Sequence, residues 1–326
     1  MWGFVKNAYS PRRDHADCSG CSLCLPVCPV WRKTRDFSMT PQGRAKALQH
    51  GDEVDAISVE NCTLCMACNP VCPENIDLVG MILNLRSKQV PLPTNQELRA
   101  NMAERAAHPH TLHASSSMML LPDAALQAHP ETLARITNLL GAKRIIVSKN
   151  DGADISLALE AGADILVQRL EHFLAPLRRM KKIIVADGLL LRHLKQWLPK
   201  ISIISVGEVL SSHSNVRRSL RASDLYVIEP RAYHSDYQRL VKHYDRLRAN
   251  HGCAFNLDLQ RIAIPATARS LPQRLGLMAH DDEEHARWIL QGRSITRIVA
   301  ESMGECAALE KVCDIPVMHL ADLAAV

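Results

Sequence analysis

Aromatic residues are scarce: four tryptophans, five tyrosines and four phenylalanines make up 4% of 326 residues. They are too few and too scattered to form a platform on which nucleobases stack, so no nucleic-acid partner is expected. Long apolar runs are also missing. The longest, such as Met118-Met-Leu-Leu121 and Ile183-Ile-Val-Ala186, fall far short of the roughly 18 residues of a membrane span. The first nine residues are too polar for a secretory leader, and Arg12-Arg13 is followed by Asp-His-Ala-Asp, not by an apolar stretch. Gly-rich dinucleotide fingerprints, phosphate-binding loops and recognisable Ser/His/Asp settings are absent too, so the chain brings no substrate site of its own. A cytoplasmic protein is expected, reaching the inner face of a membrane only through partners.

The hydrophobic fraction of 47% supports a real core, and the length suits one small and one ordinary domain. Net charge is only +5. Basic residues nevertheless crowd the first 46 positions: Arg12, Arg13, Arg32, Lys33, Arg35, Arg44 and Lys46. They read either as a solvated face or as a docking patch for an acidic redox partner.

Cysteine is the residue in surplus. Eight of the 11 fall into two runs, Cys18-x2-Cys21-x2-Cys24-x3-Cys28-Pro29 and Cys62-x2-Cys65-x2-Cys68-x3-Cys72-Pro73. Each is the ligand run of a ferredoxin with two [4Fe-4S] clusters, in which the tight loop wraps three corners of one cluster and the fourth cysteine serves the other. The expected ligand sets are therefore crossed: Cys18, Cys21, Cys24 and Cys72 for the first cluster, Cys62, Cys65, Cys68 and Cys28 for the second. Zinc or disulfides would explain paired cysteines, but neither calls for a third cysteine at this spacing or for the closing proline. Cys253, Cys306 and Cys313 are an odd, scattered remainder, which argues for a reducing compartment and for buried thiols. Cys306 and Cys313, seven apart, are expected on one face of a helix.

Taken in order, residues 1–88 read as a helix-rich two-cluster domain, 89–117 as a linker and 118–326 as an α/β domain. Helices are expected over Thr40–Gly51 and Asp77–Lys88, with a short one near Leu98–Arg105. His108, His110 and His113 read as polar linker, without cysteine or carboxylate at ligand spacing. Beyond Met118, strands are expected at 118–121, 144–147, 183–186, 201–205, 225–228, 262–264, 297–300 and 317–319, with helices between them, hence largely parallel sheets. A faint internal repeat divides this part into 118–222 and 223–326, though ordinary α/β grammar alone could produce it.

With these residues in place the chain resembles the iron-sulfur subunits of glycolate oxidase, anaerobic glycerol-3-phosphate dehydrogenase, lactate-utilisation proteins and heterodisulfide reductases. The likeness is most specific at Cys28-Pro-Val-Trp31, at Pro41-Gln-Gly-Arg44, where the family usually has arginine in place of Gln42, and at Val90-Pro-Leu-Pro93. It implies an α+β multidomain protein whose second part is a duplicated, degenerate CCG-type domain. Arg231 and the segment 261–268 stand where that family places cysteines, and Cys306 is the one relic, so no third cluster is expected. The resemblance implies a non-catalytic subunit of a hetero-oligomer, carrying electrons from a flavoprotein dehydrogenase for a 2-hydroxy acid or glycerol 3-phosphate to a quinone or membrane-associated acceptor. A relay in a heterodisulfide-reductase-like complex, or an assembly platform with structural clusters, are the alternatives.

Overall fold

The computed structural model describes residues 4–5, 13–107, 116–279 and 283–325. Arg12 and the histidines at 108, 110 and 113 lie outside them. Among these described residues there are ten strands: β1 (Phe4–Val5), β2 (Met118–Leu121), β3 (Ile145–Val147), β4 (Ile165–Leu166), β5 (Lys182–Val185), β6 (Ser202–Ser205), β7 (Asp224–Val227), β8 (Ala254–Phe255), β9 (Arg297–Ala300) and β10 (Val317–His319). The chain divides into two units.

The first unit comprises Met1–His108, Asp154–Glu171 and Ala268–Asp281, and it is helical around the cysteine runs. Its helices begin where local chemistry starts them. The Thr40 hydroxyl accepts the Gly43 amide at 2.9 Å, Pro41 opens the helix Pro41–Gln49, and Gly51 beyond its end takes φ +81. Position 43 must be glycine, because a Cβ there would stand 2.0 Å from the Phe37 carbonyl oxygen. Asp77 caps Leu78–Gln89 through the Gly80 amide at 3.0 Å, and Arg86 and Lys88 fill its last turn. The short helix expected near 98–105 is in fact Leu92–Ala107: Pro93 lies in its first turn, where a missing N–H is tolerated, so the prolines start this helix instead of breaking it. β1 and β4 pair antiparallel.

The second unit comprises Pro109–Ala153, His172–Thr267 and Asp282–Val326 and holds two four-stranded parallel sheets. Their orders are β3-β2-β5-β6 and β8-β7-β9-β10. By rank along the chain both read second, first, third, fourth. Leu121 pairs with Val185 and Val227 with Ala300 at equivalent ends. Alternation of side chains sorts each strand between two faces. Leu120 and Ile184 of one sheet share a core with Tyr226 and Val299 of the other, while Leu225, Val227, Ile298 and Ala300 pack against Ala286, Ile289 and Leu309.

One expected strand is corrected. Residues 262–264 make only a single antiparallel bridge, Leu257 with Ala263, and the strand that pairs with β7 at that edge of the sheet is β8. Pro265 cannot continue a ladder. The Asn256 carboxamide occupies the backbone there, donating to the Ile228 and Ile264 carbonyls at 3.1 and 2.9 Å. Among the described residues no helix is long and apolar enough to cross a membrane.

Candidate metal centre

The two cysteine runs fold alike. Left-handed φ recurs at their third and fifth positions, +78 at Gly20 and +65 at Ser22 in the first, +47 at Leu64 and +64 at Met66 in the second. Left-handed residues at alternate positions turn the backbone sharply, and concavities of backbone amides that hold iron-sulfur clusters are built from such turns. Only Gly20 takes it without strain. Leu64 and Met66 are fully buried, so packing offsets a conformation that costs about 1–3 kcal/mol per residue.

Two cavities result. One is lined by Cys62, Cys65 and Cys68 together with Cys28, and by Arg44, Thr63, Leu64 and Ile82; it encloses about 410 Å³, its open mouth included. The other, of about 330 Å³ on the same measure, is lined by Cys18, Cys21 and Cys24 together with Cys72, and by Gln42, Glu74 and Ile76. Each fourth cysteine thus faces the cavity of the opposite run. Among the described residues no three His, Cys, Asp or Glu side chains converge so as to hold a single metal ion. In each cavity four sulfurs line a space, the arrangement that four separate iron corners require.

Burial dominates the electrostatics of these thiols, and their mutual repulsion adds to it. Burial pushes the Cys65 thiol up to about 12, and Cys28 is the thiol that adds most to the rise. Burial also raises Cys28, with Cys62 the thiol pressing on it, while the Arg44 guanidinium works the other way. Cys68 rises well above its ordinary value through burial and then through Cys65 and Cys62. Cys24 is pushed to about 12 by burial and next by Cys28, and its thiol accepts the backbone N–H of Gln42. Four soft, mutually repelling donors around a void fit a cationic iron-sulfur core, which would stabilise their thiolate forms.

Basic side chains hold the loops. Lys46 Nζ donates to the Cys18 carbonyl at 2.8 Å, and Arg86 Nη2 to the Cys62 carbonyl at 2.5 Å, so the first cysteine of each run is pinned through its backbone. Arg86 also donates to the Glu160 carbonyl at 2.7 Å. Asn69 ties the second run to the following helix, donating to Asp77 at 2.8 Å and accepting the Val79 amide at 3.0 Å. Arg44, read from sequence as part of a basic crowd, is 1% exposed and donates through Nε to the Ser58 hydroxyl at 3.0 Å. Lys33 and Arg35 remain exposed, and Arg13 pairs with Glu74 at 3.0 Å.

Residues 14–76 match the 4Fe-4S dicluster domain family. The matched segment contains all eight motif cysteines and supports a ferredoxin-type iron-sulfur module, whose business is electron transfer. No curated protein matches the chain.

The remaining cysteines sit apart. Cys253 and Cys306 are buried in different apolar clusters, burial raising Cys253 to about 11. The expected shared helix face of Cys306 and Cys313 is corrected, since that helix spans Met303–Glu310 and ends before Cys313. What the sequence did not announce is a set of carboxylates drawn into the fold, Glu301 and Glu305 buried and Glu229 half-buried. Glu301 Oε1 accepts the hydroxyls of Tyr226 and Tyr244, both at 2.6 Å, and Oε2 the Glu229 amide at 2.9 Å. Glu229 caps the helix Pro230–Ser235, and Glu305 accepts the Ala266 amide and Thr267 hydroxyl at 2.7 and 2.8 Å.

Proposed function

We propose that this protein is an electron-transfer subunit holding two [4Fe-4S] clusters, the first on Cys18, Cys21, Cys24 and Cys72 and the second on Cys62, Cys65, Cys68 and Cys28. The crossed lining of the two cavities is the observation that carries the reading. A [4Fe-4S] cluster exchanges single electrons, so two neighbouring ones suit the stepwise draining of a two-electron flavin. The chain's own residues wrap, insulate and orient: Leu64, Met66 and Ile82 exclude water from the second cavity, whereas Cys21 is exposed and offers an edge of the first to a partner.

The partner in this reading is a flavoprotein dehydrogenase for a 2-hydroxy acid or glycerol 3-phosphate, with a quinone or other carrier as acceptor, as the resemblance of the cysteine module implies. The second unit is then a duplicated CCG-like domain that has kept its fold and serves as scaffold or partner surface. The common strand order of its two sheets supports duplication. Where that family carries cysteines, Arg231 is buried in a helix start and Ala263 donates its amide to His234 Nε2 at 3.1 Å.

Anaerobic purification from native cells with iron, sulfide and flavin analysis tests the proposal. About eight irons per chain and a co-purifying flavoprotein are expected, two four-iron clusters requiring that count. Markedly fewer irons would overturn the cluster assignment, and a cysteine-rich reductase in place of the flavoprotein would overturn the choice of partner.

A further inference from the structure

Gln42 stands in the first turn of the helix Pro41–Gln49 and lines the cavity of Cys18, Cys21, Cys24 and Cys72. Its side-chain nitrogen lies 3.6 Å from the point a Cβ on Gly20 would occupy, so the carboxamide runs along the loop between Cys18 and Cys21. The residue is 8% exposed, and its Oε1 is buried without a hydrogen-bond partner. Buried amide oxygens seldom stay unpaired, and the sulfurs that ring this cavity, once thiolates, have no S–H left to donate to one. Half a turn about the last side-chain bond exchanges that oxygen for the NH2 group, the choice that supplies thiolate acceptors with a donor.

We propose that the Gln42 carboxamide donates an N–H to a sulfur of the first cluster and raises that cluster's reduction potential. The inference rests on the two-cluster reading above. Reduction adds one electron to a group whose sulfurs already carry negative charge, with no bond broken, and a donor at sulfur favours the more negative state. The same helix turns Pro41 and Arg44 to the other cavity, so an exchange at position 42 is confined to the first cluster.

The test uses the full chain, anaerobically reconstituted and titrated with dithionite under electron paramagnetic resonance. The first cluster's signal is assigned by its loss in Cys21→Ala. Gln42→Leu, which removes the donor, is expected to make that cluster about tenfold harder to reduce, a fall of about 59 mV for a one-electron couple. Gln42→Arg keeps a donor and adds a charge, and its shift is expected upward. The second cluster stays put in both. Opposite signs from one position cannot arise from a loosened fold. Shifts of the same sign, no shift, an equal shift in the second cluster, or loss of the first cluster from both variants would each overturn the role of Gln42 while about eight irons per wild-type chain leave the two-cluster reading standing. A wild-type chain well short of that count overturns both.

Discussion

Cys24, Cys28, Cys65 and Cys68 in one unit and Glu229, Glu301 and Glu305 in the other are alike in being ionisable groups drawn out of water, and they differ in what surrounds them. The carboxylates are filled in: Glu301 takes two tyrosine hydroxyls and an amide, Glu229 caps a helix through the Ala232 amide at 2.6 Å, and Glu305 holds the 266–267 backbone. Space around Glu301 is closed to the point that a Cβ on Gly207 would stand 2.2 Å from its carboxyl carbon. The thiols instead ring hollows of about 410 and 330 Å³. A full set of buried acids is structure, whereas a hollow ring of soft donors is a socket, and burial by itself does not tell the two apart.

The most forceful attempt to break this contrast is Cys28→Ser. In the crossed arrangement it removes the cluster of Cys62, Cys65 and Cys68 and spares that of its own run, so iron falls by about half and one of two paramagnetic signals disappears. Loss of the first cluster's signal instead would sink the crossed assignment.

Glu301→Ala asks whether the acid set is truly structural. Leaving two tyrosine hydroxyls and an amide without an acceptor is expected to destabilise the second unit by about 3 kcal/mol, read by denaturant unfolding, with iron content unchanged. A stability within error of wild type would show that water takes over the network.

Acidity offers a third handle. Burial raises Glu301 to about 7 and Glu229 to about 8, from an ordinary 4.5. Between 4.5 and those values the folded chain retains protons that the unfolded chain releases, so stability is highest in acid and falls as pH rises through this window. Thermal unfolding across pH 4.5 to 8 should follow that slope, and Glu229→Gln should flatten its upper end. A slope of opposite sign would mean that the hydrogen bonds outweigh burial.

The mildest change sharpens the comparison from the cysteine side. Cys306→Ala is expected to cost about 1 kcal/mol for a small void in an apolar core and to leave iron untouched. Iron loss would make Cys306 part of a socket after all.

Several features were open to reading in one dimension because their causes are local. The cysteine spacing, the Thr40 and Asp77 caps and the run of short apolar strands each depend on neighbours within a few residues. The helix Leu92–Ala107 is longer than its sequence suggests because its prolines resemble breakers, and β8 gives no signal because a two-residue strand carries no periodicity. Arg44 reads in one dimension as part of a solvated or docking face, since a lone arginine gives no sign of the hydroxyl waiting for it.

By itself, then, the sequence set eight cysteines in two runs at iron-sulfur ligand spacing, because spacing along a tight loop is a matter of covalent reach. Tertiary structure alone decided which charges are buried, that Leu64 and Met66 hold left-handed backbone, and that Glu301 meets Tyr226 and Tyr244 from 75 and 57 residues away. Those outcomes depend on what distant segments bring to a site, and burial sets the strength of every polar contact there.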